Sequence, residues 1–326
     1  MANVVGMVLC AGLGTRLRPL TLRVPKPAVP VCGVPLVSWT LGLLAGAGVS
    51  RAVVNVHHLP DVMAAAAEAG ARAVGLPLAV SREPIIAGTG GALREARRHL
   101  EGADAILVVN GDVLFDVDVG AALAAHRASG ALATMVLLPM PPGATYASVD
   151  VDAGGAVRRI AGTFGPGGEG LTPWHFSGVH VLSPSLLARV PDAPFECDVN
   201  RHVYPPLMAA GAVRGHVVDG YWNDLGTPGR YLEASRDVLL GRVPLGRFGR
   251  LDPLSASHAL AEGVRIGDGA IFGDGARLVA PCFVGARCQV PAGAVVDDAV
   301  LWDGTALAPG ERVVHAIAAD ADRVSA

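Results

Sequence analysis

Lys26 is the only lysine in a chain of 326 residues, set between two prolines in R-V-P-K-P-A-V-P (23–30); every other cationic side chain is arginine. A compact ammonium fits among crowded phosphate oxygens, where a planar guanidinium fits less well. Just upstream, L-C-A-G-L-G-T-R-L-R-P-L-T (9–21) carries Gly12, Gly14 and Arg16. Glycines let backbone amides approach an anion closely. Arg16 offers a fork that can grip phosphate oxygens with two parallel hydrogen bonds. No acidic residue precedes Asp61, whereas Arg16, Arg18, Arg23, Lys26 and Arg51 all do. A segment charged in one sense only suits an anionic small molecule.

Two aspartates complete the set. Asp112 follows the apolar run A-I-L-V-V-N-G (105–111), and Asp224 lies in G-Y-W-N-D-L-G-T-P (220–228). Taken singly, each fits a turn or a cap equally well. One carboxylate from each of two distant segments beside a phosphate loop is how Mg²⁺ is held, with substrate phosphates completing its shell. His57 and His58 sit at a strand end with no matching ligand cluster, so they are read as structural.

The positioning elements follow from apolar patterning. Val4–Cys10 is a continuous apolar run of the kind buried in a parallel sheet. A helix is expected from about Pro35 to Ala47, a strand at 51–56, an Ala-rich helix at 61–70, and strands at 76–81, 103–110 and 131–138. Residues 145–181 read as further strands, and 199–239 as helix, strand, helix. This alternation implies an α/β, Rossmann-like, doubly wound mixed sheet, with ligands at the carboxyl ends of its strands. Residues 241–258 have the Pro and Gly content of a linker. Beyond them a six-residue period sets in, with Ile266, Phe272, Leu278, Val284, Val290, Val296 and Trp302 all large and apolar. Ala270, Ala276, Cys282, Cys288, Ala294 and Val300 follow at four-residue offsets. Such a period specifies a parallel β-helix of three short sides per coil, here a little over two coils. The expected organisation is therefore 1–240, a linker at 241–258, and a β-helix with tail at 259–326.

Composition excludes several classes. With 51% hydrophobic and 17% charged residues the chain is globular rather than disordered. A net charge of −3 gives no general attraction to nucleic acid. The five cysteines contain no C-x-x-C pair, so neither a zinc site nor a disulfide framework is indicated, and a reduced, cytoplasmic protein is expected. Residues 27–50 carry no charge, but Pro27, Pro30, Pro35 and four glycines rule out a spanning helix, so no membrane partner is expected.

Taken together these motifs resemble the sugar-1-phosphate nucleotidyltransferases, or nucleotide-sugar pyrophosphorylases. G-x-G-T-R-L-x-P-L-T spans 12–21, P-K-P spans 25–27, and the strand-end G-D is Gly111-Asp112. W-x-D-x-G-T-P runs from Trp222 to Pro228, and D-V-N-R is Asp198 to Arg201. The family core corresponds to about 1–240, and several members append a left-handed β-helix, here 259–307. The resemblance implies a Mg²⁺-dependent displacement in which a sugar 1-phosphate oxygen attacks the α-phosphorus of a nucleoside triphosphate and pyrophosphate departs. It gives Leu9, Ala11, Gly12, Gly14, Thr15, Arg16, Glu83, Gly88, Thr89 and Gly111 to the nucleotide. Arg16 would hold the pyrophosphate, Lys26 would bridge the reacting phosphates, and Asp112 and Asp224 would hold the metal. Lys26, Tyr146, Glu196 and Asn200 fall to the sugar phosphate.

Glu83, in S-R-E-P-I-I-A-G-T-G-G (81–91), stands where the family reads the base. A carboxylate only accepts hydrogen bonds, and guanine presents two adjacent donors where uracil and thymine present one between two carbonyls. GTP is therefore favoured, with a mannose- or heptose-type phosphate as acceptor. Alternatives are a uridylyl- or thymidylyltransferase acting on a glucose-type phosphate, and a silent nucleotide-sugar-binding regulatory subunit. The chain departs from the family after 146–160, where E-K-P is common and A-G-T-F (161–164) stands instead. With Lys26 unique, no other lysine can serve there; Arg158 and Arg159 are the candidates in that stretch. The short β-helix, with no histidine in its hexads, is assigned to homo-oligomer assembly rather than acyl transfer.

Overall fold

A computed structural model describes residues 3–141, 143, 146–192 and 195–326. Nine strands make one mixed sheet: β1 (Val4–Leu9), β2 (Arg51–Val56), β3 (Leu78–Arg82), β4 (Ala105–Asn110), β5 (Ala133–Leu138), β6 (Ser148–Val151), β7 (Val157–Ile160), β8 (Thr172–Leu182) and β9 (Val213–Val217). The order is β7-β6-β8-β4-β1-β2-β3, with β5 pairing β8 and β9 pairing β5. Its centre, β4-β1-β2-β3, is parallel. The alternation of β1 explains the layering. Val4 and Val8 join one apolar cluster with the helix Leu36–Gly46, whereas Val5 and Met7 join a second on the opposite face. Because β1, β2 and β4 run the same way, the loops after Leu9, Val56 and Asn110 emerge on one side.

The region read as 145–181 supplies β6, β7 and β8, which extend this sheet antiparallel; residue 145 lies outside the described residues. The segment 241–258 does not hang free. Phe248 is buried edge-on against Trp39, with ring centroids 5.2 Å apart. A Cβ at Gly42 or Gly46 would come within 2.8 and 2.4 Å of the carbonyl oxygens of Phe248 and Arg247. The glycines of the helix, not only those of the segment, permit this approach.

Beyond it, strands stack in parallel with a fixed offset. Val264 lies beside Cys282, Ile271 beside Gln289 and Arg277 beside Val295, each an 18-residue step, or three hexads per turn. The step then shortens to 17, with Phe283 beside Val300 and Val300 beside Ile317. That change of phase ends the hexad pattern before Trp302, since Leu301 takes the buried place above Val284, although stacking continues to Ala318. Four strands therefore stack on one side (Val264–Gly267, Cys282–Val284, Val295–Leu301, Arg312–Ala319), more than the little over two turns expected. Antiparallel strands Ser257–Ala261 and Asp322–Ser325 close its two ends. Val284, Val290 and Val296 are wholly buried, but Phe272 in the first turn is exposed. Glycines at 267, 273 and 285 mark corners where a Cβ would lie 2.4–2.6 Å from backbone of the next turn.

The stack packs into the main body. Phe283, Val300 and Ile317 share the apolar cluster of β1. Trp302 Nε1 donates to Tyr231 Oη at 2.9 Å, and Tyr231 Oη donates to the Pro30 carbonyl at 2.5 Å.

Candidate active site

Leu9 ends β1, and the chain turns at Gly14, whose φ of 60° is left-handed. The loop closes by two bonds onto the Gly14 carbonyl, from Leu17 N at 3.0 Å and Thr21 Oγ1 at 2.8 Å. A Cβ on Gly14 would lie 2.9 Å from the Cβ of Lys26, so glycine is required here both for its dihedral and for close packing on the lysine stem. The prolines flanking Lys26 lead into the short turn Lys26–Ala28. The lysine side chain is only 8% exposed, and its Nζ donates to Asp112 Oδ2 at 2.7 Å. The lone ammonium is thus buried at its stem and spent on a carboxylate at its tip.

Asp112 and Asp224 are brought together by an antiparallel ribbon, Val113–Phe115 with Trp222–Asp224, in which Asp224 faces Val113. Asp112 is 41% exposed. Asp224 is more enclosed and has its pKa raised above the usual carboxylate value, first by burial; Asp112 raises it further, while Lys26 and Arg16 oppose. Asp224 Oδ1 accepts from Tyr146 Oη at 3.2 Å and from Arg230 Nη1. Among the described residues, the second oxygen of each aspartate has no side-chain partner. Two open carboxylate oxygens suit a hard divalent cation that takes the rest of its shell from phosphates, so the donor set fits Mg²⁺. No cluster of three or more His, Cys, Asp or Glu ligands exists among the described residues.

Lys26 and Asp112 border a cavity of about 560 Å³ at the carboxyl ends of β1, β2 and β4, whereas Asp224, Tyr146 and Arg230 are not among its lining residues. It is lined by Leu9, Ala11, Gly12, Gly14, Thr15, Arg16, Lys26, Glu83, Gly88, Thr89 and Asp112, as the sequence suggested. A Cβ on Gly12 would meet nothing within 4 Å, so its backbone faces open space. The Arg16 guanidinium lies where a Cβ on Gly226 would fall, at 3.0 Å, so that glycine makes room for it beside Asp224. Gly111 is not a lining residue; it holds the strand end by donating to the Leu9 carbonyl at 3.0 Å.

Glu83 is 4% exposed. Burial raises its pKa, against the lowering effect of hydrogen bonds from Asn55 and Ala87. Asn55 was not singled out from the sequence, yet its amide donates to Glu83 Oε1 at 2.8 Å and its Oδ1 accepts from Cys10 N at 2.8 Å. It ties the phosphate loop to the buried carboxylate. Asn110, also missed, lines the cavity too. A polar residue closing an apolar strand was the available signal for both.

The G-T-G-G stretch has a second task. Gly88 has φ 74°, and a Cβ there would lie 2.7 Å from the Cys197 carbonyl oxygen. Gly90 and Gly91 donate to that same oxygen at 2.7 and 3.1 Å. Thr89 Oγ1 donates to Asp198 and accepts from Val199 N. The segment carrying Glu196 and Asn200 is therefore clamped to this helix, but neither residue lines the cavity; Glu196 is exposed, and the buried Asn200 Oδ1 has no partner among the described residues. Arg158 and Arg159 lie on the outermost strand, β7, paired with Asp152 at 2.7 Å and Asp150 at 2.6 Å. His57 and His58 bond the backbone carbonyls of Glu83 and Thr21, which agrees with a structural role.

The family model described as nucleotidyl transferase matches residues 5–240, the span that holds the glycine-arginine loop, the buried lysine and both aspartates. The chain belongs to that family. This nucleotidyl transferase is 31% identical over 310 residues to the mannose-1-phosphate guanylyltransferase of Mycobacterium tuberculosis, covering 94% of this chain and 82% of that one. It is 28% identical to the UTP–glucose-1-phosphate uridylyltransferase of a Synechocystis species, covering 94% and 85%. To the catalytic subunit beta of a mannose-1-phosphate guanylyltransferase from Xenopus tropicalis it is 29% identical, covering 69% and 62%. Among the described residues no helix is long and apolar enough to cross a membrane.

Proposed function

We propose that the chain transfers a guanylyl group from GTP to a mannose- or heptose-type sugar 1-phosphate, releasing pyrophosphate. The observation that carries this reading is that Lys26 and Asp112 line one cavity with Arg16 and Glu83, while the ribbon from Asp112 brings Asp224 beside them. An oxygen of the sugar phosphate attacks the α-phosphorus, the bond to the β-phosphate breaks, and pyrophosphate leaves with the electron pair. The work is positioning and charge neutralisation. Arg16 holds the departing pyrophosphate, and the amides about Gly12 and Gly14 receive its oxygens. Lys26 sits between donor and acceptor phosphates, two anions that would otherwise repel. The free oxygens of Asp112 and Asp224 would hold Mg²⁺, which when bound neutralises phosphate charge. Glu83, fixed by Asn55, accepts from the N1–H and amino group of guanine; bidentate readings of this kind discriminate by ~1–3 kcal/mol.

The similarity to guanylyltransferases supports the choice of base and of mannose. The similarity to a uridylyltransferase keeps UTP with glucose 1-phosphate as the second reading. We assign residues 1–240 to the transferase core, 241–258 to a packed connection, and 259–326 to a left-handed β-helix serving homo-oligomer assembly; the 18-residue parallel step supports the coil. Pyrophosphate release over a grid of four nucleoside triphosphates and mannose, heptose and glucose 1-phosphates, with and without Mg²⁺, tests the reading. Release with GTP and a mannose- or heptose-type phosphate is expected. Release confined to UTP or dTTP with glucose 1-phosphate would replace guanylyl by uridylyl or thymidylyl transfer, and no release anywhere would favour a silent binding subunit.

A further inference from the structure

With Lys26 unique, the chain lacks the E-K-P lysine that the family resemblance would assign to the acceptor phosphate. The structure sets Arg230 against Asp224. Arg230, in the first turn of the helix Pro228–Leu239, reaches back to Asp224 Oδ1, and its guanidinium lies over the Tyr146 ring, 5.0 Å from the centroid. Tyr146 is held in turn: its hydroxyl donates to the same carboxylate oxygen, and its ring packs on His175 and Trp222 at centroid separations of 4.6 and 5.3 Å. The arginine side chain stays 39% exposed beside Asp224. Several other cations are committed or lie elsewhere. Lys26 is on Asp112, and Arg16 lines the nucleotide cavity. Arg158 and Arg159 pair with acids of the outer strands, and Arg214 donates to the Gly154 carbonyl.

We propose that Arg230 is the acceptor-binding cation of this enzyme: held over Tyr146 and against Asp224, it receives the phosphate oxygens of the sugar 1-phosphate in the role that the family resemblance would assign to an E-K-P lysine. A guanidinium suits that task, because it can keep one N–H on Asp224 while a parallel pair of N–H donors grips a phosphate. Tyr146 fixes the plane of the fork from below. The sugar itself then extends from the phosphate along the Tyr146 edge. The inference rests on the nucleotidyl-transfer reading above.

Its test uses the full chain with GTP and mannose 1-phosphate, or whichever acceptor the substrate grid identifies. Arg230→Ala should raise KM for the sugar 1-phosphate roughly 10- to 100-fold, the range for losing hydrogen bonds to a charged group, while KM for the nucleotide changes less than about threefold. Arg230→Lys should recover part of that loss. Added guanidinium ion at millimolar concentration should restore Arg230→Ala activity towards saturation with the acceptor. Calorimetric titration of the sugar 1-phosphate into each variant gives a second readout, independent of turnover. An Arg230 that merely balances Asp224 would leave the acceptor KM in place and alter the Mg²⁺ requirement instead; that result overturns the proposal. So does a loss shared equally by both substrates without rescue. If the wild-type chain transfers nothing in the grid, the underlying reading falls and this inference with it, whereas an active wild type with an unmoved acceptor KM removes Arg230 alone.

Discussion

Replacing Lys26 by Arg keeps the positive charge and should still remove most of the turnover. The lysine stem is packed against the backbone of Gly14, its side chain is 8% exposed, and its Nζ already stands 2.7 Å from Asp112 Oδ2. A guanidinium is both longer and planar, so it reaches Asp112 only by displacing the carboxylate or the glycine loop. The ammonium would then be missing from between the two phosphates. Loss of one preorganised electrostatic partner costs about 10²–10³-fold in turnover, or roughly 2.7–4 kcal/mol. The stability effect is expected to be much smaller. Asp112 is 41% exposed, so leaving its charge unpaired is worth no more than about 1 kcal/mol, and Lys26→Met keeps an unbranched apolar stem in the buried part of the site. The assay is pyrophosphate release at saturating substrates, with thermal denaturation of the same samples. The reasoning fails if Lys26→Arg keeps more than about a third of wild-type turnover. It also fails if Lys26→Met loses turnover only in proportion to a collapse in Tm.

Other consequences are equally direct. Asp112→Asn and Asp224→Asn should each cut turnover by at least ~10²-fold and raise the Mg²⁺ concentration needed for half-maximal rate; unchanged metal titrations would remove both from the metal site. Glu83→Gln should narrow the GTP-over-UTP preference in kcat/KM by up to the ~1–3 kcal/mol of a bidentate base contact, and an unaltered ratio would end the base-reading assignment. Glu83 also gives a pH signature. Burial raises its pKa, so its contribution to stability is complete below the ordinary glutamate value and is lost as pH rises through the raised one. Wild type should therefore lose stability relative to the non-titrating Glu83→Gln across that interval, read as a changing Tm difference; a constant difference contradicts it. Gly88→Ala places a Cβ 2.7 Å from the Cys197 carbonyl at φ 74° and should cost ~1–3 kcal/mol in denaturant unfolding, so an unaffected midpoint would show that the clamp on segment 195–198 is loose.

What the sequence makes legible here is whatever is encoded locally. The parallel strands are visible because burial on both faces demands unbroken apolar runs, and β1, β2 and β4 begin and end within a few residues of their expected limits. Lys26 is visible because composition isolates it, and Gly14 and Arg16 because they share one short motif just upstream. Groups whose meaning depends on a distant partner are harder to read. Asn55 looks like any strand-end amide until its two bonds join Cys10 to Glu83. Arg230 is one of many arginines until the turn at Thr227-Pro228 folds it back onto Asp224. The glycines of 88–91 suggest room for a ligand, but their first steric neighbour is Cys197. In the coil, a one-residue shortening of the step hides the last turn from a six-residue search, although the backbone keeps stacking through Ala318.

The most direct measurement is diffraction from crystals grown with GTP and Mn²⁺ in place of Mg²⁺, located by anomalous scattering. A manganese peak within coordinating distance of both Asp112 and Asp224, with the triphosphate between Arg16 and Lys26, is the expected result. A triphosphate bound away from Lys26, or an ion touching neither aspartate, contradicts the account.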